Sequence, residues 1–264
     1  MKLQFDHDLH FHSRLSSCSG HPEQTTENLL ASARKNGFKT ICLTDHFWDE
    51  TVPGASKWYM PQNYSHISQA KPLPQAEGIR FLWGCETELD QYGHLGISKE
   101  RMEEMDFIVV PTTHIHMVGF TVSEEDSKSV KRLAELWIER LDAVLDMDLP
   151  FHKVGIAHLT GFLFPKAEED QLEMMALIPV EEMRRCFRKA AQLGVGIELN
   201  LSTFHFPKEQ AELRLRPFKI AKECGCKFYF GSDAHVPTEF INGEACAEWV
   251  VDYLGLEESD KFII

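Results

Sequence analysis

The chain has 264 residues, 43% of them hydrophobic and 26% charged, enough to bury a substantial core and ordinary for a globular protein. Its formal net charge of -14 argues against a general nucleic-acid binder, which needs a positive surface to displace counterions from phosphates. No apolar run approaches the ~18 residues of a membrane span, no export-signal core is visible, and the scattered cysteines read as reduced thiols of a cytoplasmic protein.

The first informative segment is D-L-H-F-H, in which Asp8, His10 and His12 alternate with Leu9 and Phe11. Side chains on a strand repeat every second residue, so the spacing predicts the polar trio on one face and the apolar pair on the other. Two imidazoles so placed can converge on one ion. Arg14 follows, readable as a phosphate-binding cation or as a solvated surface residue. His21 lies a little further on, in C-S-G-H.

Residues 26–36 read as a helix ended by Gly37, and T-I-C-L-T-D-H then closes on Asp45 and His46. The stretch 47–76, with Trp48, Trp58, Tyr59 and several prolines, is long and irregular; it reads either as a cover for substrate or as a packed connection. Gly78 precedes I-R-F-L-W-G-C-E, which ends on Glu86. Strands over Asp106–Pro111 and Val154–His158 put His114 just past one end and His158 at the other. His116 shares the spacing of His114, which is favoured as nearer the strand end.

A helix over 180–193 stops at Gly194, and V-G-I-E-L-N follows, with Glu198 and Asn200 on one face. Asn200 reads as facing substrate; Glu198 reads equally as a site-lining or a structural residue. Gly225, between Cys224 and Cys226, ends another helix before F-Y-F-G-S-D-A-H, where Asp233 and His235 repeat the strand spacing. His7, His66, His94, His152 and His205 fall outside the ligand series.

A helix, a glycine and then an apolar strand is the grammar of parallel α/β folds, and with Lys2–His12 about seven such strands are expected. The candidate ligands cluster at the C-terminal strand ends, where α/β barrels keep their active sites. The fold expected is therefore a distorted (β/α)7 TIM-like barrel, in a single domain over residues 1–264, with an open doubly wound sheet as the alternative.

The succession H-x-H, T-D-H, G-x-E, two later strand-end histidines and S-D-A-H resembles the PHP (polymerase and histidinol phosphatase) family over essentially the whole chain. The stretch I-E-L-N-L-S with G-S-D-A-H, and C-S-G-H around His21, are most similar to the stand-alone histidinol phosphatases. The resemblance implies up to three divalent ions of zinc, manganese or iron. His10, His12, Glu86 and Asp233 would hold the first; Glu86 would bridge to a second held by His114 and His158; His21, His46 and His235 would hold the third. Imidazole suits these metals, and a carboxylate can span two ions where an imidazole cannot.

The activity implied is hydrolysis of a small phosphomonoester, histidinol phosphate first among them. A water bridging two cations would supply the hydroxide, with Glu86, Asp233 and His235 as the catalytic set. Asp233 or a nearby histidine would carry a proton to the leaving group. Asp8 and Asp45 are expected to orient ligand imidazoles. One departure stands out: the arginine expected soon after E-L-N is missing, Thr203, Phe204 and His205 stand there, and Arg214 is the next arginine. That puts histidinol phosphate in question while leaving phosphoester chemistry untouched. The alternatives are a phosphodiesterase or nuclease for nucleotides or short oligonucleotides, and a non-catalytic metal-binding accessory module. An amidohydrolase-type enzyme would carry a bridging lysine, and no lysine stands in the ligand series.

Overall fold

The computed structural model describes residues 1–160, 167–240 and 243–264. Its strands are β1 (His7–Phe11), β2 (Thr40–Leu43), β3 (His46–Phe47), β4 (Arg80–Trp83), β5 (Cys85–Thr87), β6 (Ile108–Pro111), β7 (Val154–Ala157), β8 (Gly196–Asn200) and β9 (Lys227–Gly231). All ladders are parallel, in the orders β1-β2-β4 and β3-β5-β6-β7-β8-β9. β3 continues the run of β2 after a break at Thr44 and Asp45, and β5 continues β4 after Gly84. Among the described residues, nine strands with two continuations make seven passes, matching the about seven strands expected from sequence.

The run returns to its start. Asp233 N donates to His10 O at 2.7 Å and His12 N to Ala234 O at 3.0 Å, and Phe11 and Ala234 form a parallel bridge. The protein is thus a mixed α/β fold of parallel strands, TIM-like and distorted by the two breaks.

Helices follow the strands and cover them. The helix Val180–Leu193 places Met183, Cys186, Phe187 and Ala190 on its buried stripe, and Gly194 ends it in the left-handed conformation, φ 74°, that a Cβ would disfavour. The helix Val130–Leu145 buries Leu133, Trp137, Leu141 and Val144 at helical spacing. Against these lie Ile108, Val110, Ile156, Ile197 and Leu199. A separate cluster, Leu9, Cys42, Leu82, Phe107, Val109, Ala157, Tyr229 and Phe262, takes other residues of the same strands.

One expectation fails here. Alternation puts Leu9 and Phe11 on one face, but Leu9 belongs to the smaller cluster and Phe11 to the larger. The pairing of β1 with β2 shifts between Asp8 and Phe11, and such an irregularity resets which way side chains point.

Candidate metal centre

The strand ends deliver their polar side chains to one place. His10 ends its Nε2 3.4 Å from Glu86 Oε2 and 3.5 Å from Asp233 Oδ1. His12 Nε2 lies 3.4 Å and 3.2 Å from the same two oxygens. The other carboxylate oxygens turn to His158, whose Nε2 is 3.3 Å from Glu86 Oε1 and 3.7 Å from Asp233 Oδ2. His46 Nδ1 sits 2.9 Å from Glu86 Oε2. His12, His46 and His235 form a second convergence, with the His12 ring 4.4 Å from that of His46 and 4.2 Å from that of His235.

These residues fit divalent cations. Ligand bonds of about 2.0–2.1 Å to a tetrahedral centre put the ligand atoms about 3.3–3.4 Å apart. The four separations among His10, His12, Glu86 and Asp233 run from 3.2 to 3.5 Å. His10 Nε2, His114 Nε2, His158 Nε2, His46 Nδ1 and both Glu86 oxygens are buried without a hydrogen-bond partner. A buried carboxylate without a well-formed hydrogen bond is costly in an otherwise finished structure, so this set fits a cation.

The surroundings fix these imidazoles. Glu198 Oε1 meets His10 Nδ1 at 2.5 Å, while its Oε2 accepts from the His158 backbone N–H at 3.0 Å and from Asn200 Nδ2 at 3.1 Å. Glu88 Oε2 meets His114 Nδ1 at 2.9 Å, with Arg140 at 3.5 Å from its other oxygen. Such partners set the tautomer and aim of a ligand imidazole. Asp45 reaches His12 indirectly: Ser16 Oγ donates to Asp45 Oδ1 at 2.7 Å and lies 3.0 Å from His12 Nδ1. Asp8 does not orient an imidazole as expected; its Oδ1 accepts the backbone N–H groups of His10 and Ser232 at 3.2 and 3.0 Å.

His158 and Asp233 both hold positive φ, 59° and 54°, without being glycine. Such backbone costs of order 1–3 kcal/mol and collects where function requires a particular aim.

Charge in the pocket is unevenly shared. Burial opposes the His10 imidazolium, but Glu198, Glu86 and Asp233 outweigh it and hold its pKa well above the usual value. Burial likewise works against His46 and His235, yet Glu86 and Cys18 bring the first up to about 10, and Cys18 and Asp233 the second to about 9. Burial, with a neighbouring imidazole, pushes His114 down to about 3 and His116 to about 4. Glu88 rises to about 8 through burial, against the pull of Arg140. Burial pushes the Cys18 thiol up, but hydrogen bonds with His235 and His46 prevail and bring it to about 7.

A cavity of about 580 Å³ opens on the cluster, lined among others by Cys18, Trp58, Tyr59, His116 and Met117. Trp58 and Tyr59 come from the long stretch after His46, where Trp48 and Tyr59 are buried and Trp48 N donates to Gln62 O at 3.0 Å. That stretch is anchored in the core and supplies a wall of the cavity. A neighbouring cavity of about 350 Å³ shares His158 and Asp233 with the first and contains Thr203, His205 and Arg214. Arg214, the next arginine after E-L-N, lines this second cavity, where its Nε donates to Gln210 Oε1 at 2.6 Å.

Of the predicted site residues, the structure brings together His10, His12, His46, Glu86, His114, His158, Asp233 and His235. It does not bring in His21, which is exposed with its Nδ1 accepting from Glu23 N at 3.2 Å. Arg14 is exposed and lines neither cavity. Asn200 is buried against Glu198, its Oδ1 accepting from Ser202 N and Oγ at 3.0 and 2.6 Å, so it braces the site rather than facing substrate. Sequence reasoning passed over Glu88 and Cys18. Glu88 had a signal, since it follows Glu86 at the spacing of one strand face.

The fold is one of parallel strands with helices, and the histidine–carboxylate cluster at its strand ends could hold metal ions. The PHP domain family model matches residues 8–202, and the chain belongs to that family. A probable phosphatase of Thermoanaerobacter sp. (strain X514) is 28% identical over 240 residues, 89% of this chain and 80% of that one. One from Caldicellulosiruptor bescii is 24% identical over 237 residues, 89% and 83% of the two chains. Among solved structures, the histidinol phosphate phosphatase of Lactococcus lactis, complexed with zinc, L-histidinol and phosphate, superposes with a TM-score of 0.62. That match is 17% identical and covers 98% of this chain and 99% of the other. Family and relatives support a phosphatase-type hydrolase. No helix among the described residues is long and apolar enough to cross a membrane.

Proposed function

We propose that the protein is a divalent-metal-dependent phosphatase acting on small phosphomonoesters. The observation that carries this reading is the quartet His10, His12, Glu86 and Asp233, whose imidazole and carboxylate atoms stand 3.2–3.5 Å apart, with Glu86 and Asp233 lining the main cavity. Glu86 and Asp233 each turn one oxygen to this quartet and the other to His158, so both would span to a second position completed by His114 Nε2. His46 and His235 would hold a third ion. Bound there, divalent ions would polarise the phosphoryl oxygens and lower the pKa of water.

The chain's own residues do the rest. Glu86 is buried and stays ionised: burial opposes its charge, but His46 and His10 hold its pKa well below the usual range. Asp233 is the carboxylate of the pair that reaches solvent, its side chain 15% exposed against 0% for Glu86. It would take the proton of the attacking water and pass it to the leaving oxygen; burial opposes its charge, but His158 and His10 outweigh burial and hold its carboxyl well below the usual range. His116 is neutral at pH 7, lines the cavity and has a buried Nδ1 without a partner, so it would hydrogen-bond the substrate. Trp58, Tyr59 and Met117 offer an apolar wall to the leaving group and keep water from it. A flat leaving group such as the imidazole of histidinol suits that wall, and histidinol phosphate is the first substrate to try.

Phosphate release would be followed in parallel from histidinol phosphate, an aryl phosphate, nucleoside monophosphates and a short oligonucleotide. The monoesters are expected to turn over faster. A faster oligonucleotide would replace this reading with that of a nuclease.

A further inference from the structure

The loop after β1 was expected to supply His21 as a metal ligand, and the structure leaves His21 at the surface. The same loop puts a different ligand atom into the cavity. Cys18, exposed at the cavity's edge, lines it beside His46 and His235 and hydrogen-bonds with both imidazoles. Its position is held from both sides. Ser17 N donates to Gln62 Oε1 at 2.8 Å, Ser19 N to Ser16 O at 2.8 Å, and Ser19 Oγ to the carbonyl of His235 itself at 2.6 Å. The loop is therefore tied to the residue over which Cys18 stands.

The imidazoles are prepared in turn. His235 Nδ1 is engaged by the Asp233 carbonyl at 2.7 Å, which leaves its other nitrogen for a ligand. His46 is 6% exposed, and its Nδ1 faces Glu86 Oε2 at 2.9 Å without a well-formed hydrogen bond. His12 converges with these two rings but also completes the quartet with His10, Glu86 and Asp233, and one nitrogen can serve only one ion. Once His12 is committed to the quartet, His46 and His235 lack a third protein ligand.

We propose that the Cys18 sulfur, not the His21 imidazole, completes the metal site of His46 and His235. The proposal rests on the metal-dependent reading given above and assigns it a ligand that the motif pattern places elsewhere. Cysteine and histidine ligands on one tetrahedral ion are ordinary zinc chemistry, and a thiolate discriminates against manganese and magnesium. The consequence is a mixed centre: two positions built of nitrogen and oxygen, and one that selects a softer ion. Cys246, which lines a neighbouring cavity, is turned to the Leu201 carbonyl and does not compete.

Cobalt(II) loading of the full chain provides the test, because a thiolate bound to cobalt gives a charge-transfer absorption in the near ultraviolet that nitrogen and oxygen ligands do not. The wild-type protein is expected to show that band. Cys18→Ser should lose it and bind about one ion fewer per chain, while His21→Ala should keep both band and stoichiometry. Wild-type protein that binds cobalt without the band overturns the Cys18 assignment and leaves the phosphatase reading standing. Loss of one ion in His21→Ala with none lost in Cys18→Ser does the same. Failure of the wild-type chain to bind cobalt or zinc at all overturns both. Absence of the band in the wild-type protein refutes the assignment even if the serine variant folds poorly, and retention of the band in Cys18→Ser refutes it as well.

Discussion

Glu86→Gln is the substitution that the geometry makes most revealing. Glu86 is fully buried, and its two oxygens face four imidazoles: His46 at 2.9 Å, His158 at 3.3 Å, and His10 and His12 at 3.4 Å. Glutamine keeps the shape but removes the charge and replaces one oxygen by an N–H donor that cannot ligate a cation. Loss of one buried hydrogen bond to a charged group is worth roughly 1.5–3 kcal/mol, or about 10–100-fold at ~1.36 kcal/mol per decade. Because one carboxylate serves two positions here, a loss of kcat/KM of about 10²-fold or more is expected, with a fall in bound metal. The assay is steady-state phosphate release from a small phosphomonoester, paired with elemental analysis. His152→Ala, on an exposed histidine outside both clusters, serves as control and should stay within about twofold of wild type. Glu86→Gln with near-normal turnover and metal content would refute the reasoning.

Three further outcomes follow from the same geometry. Glu198→Ala removes the partner of His10 Nδ1 and should weaken metal retention about 10–100-fold in competition with a chelator; unchanged retention would show that His10 needs no such support. A Cβ at Gly231 would stand 2.7 Å from the His10 Cβ and closer still to Glu198, so Gly231→Ala should cost about 1–3 kcal/mol, read as a lowered Tm with reduced metal content. In chelated protein His46 and His235 keep their protons up to about 10 and 9, so their contribution to stability is complete below 6.5 and is lost as pH rises through 9 to 10. His114 and His116, held down at about 3 and 4, act oppositely, adding stability as pH climbs from there to 6.5. The Tm of the chelated protein should therefore peak near pH 6.5, and a Tm rising steadily to pH 10 would contradict the assignment of charges.

Strand-end histidines were readable because they carry two local signals at once, a period of two and a position after an apolar run. That is why His10, His46, Glu86, His158 and Asp233 could be placed at one end of the fold from sequence. The helix over 180–193 was equally plain, with its glycine stop at Gly194. What could not be read is what depends on contacts between distant segments. Glu198 was left open between site and structure because only the folded chain brings its two oxygens to His10 and His158. Leu9 and Phe11 part company because the register of β1 shifts against its neighbour. In the loop after His12, a histidine has the stronger prior as a metal ligand. Loop geometry, set by Ser17 and Ser19, leaves both residues exposed but puts the cysteine at the cavity's edge and the histidine away from it.

The central claim is that the cluster works as a metal-dependent phosphatase centre, and one measurement addresses it directly. Phosphate release from histidinol phosphate and an aryl phosphate would be measured on protein stripped with a chelator and then reloaded separately with zinc, manganese or iron. The account predicts loss of activity on stripping and its return with at least one of these ions, at a stoichiometry of two to three per chain; two ligand groups, His10 with Glu86, His158 and Asp233, and His12 with His46 and His235, each lie within reach of one ion. Activity that survives complete removal of metal, or a fully reloaded protein that releases no phosphate from any monoester, would contradict it.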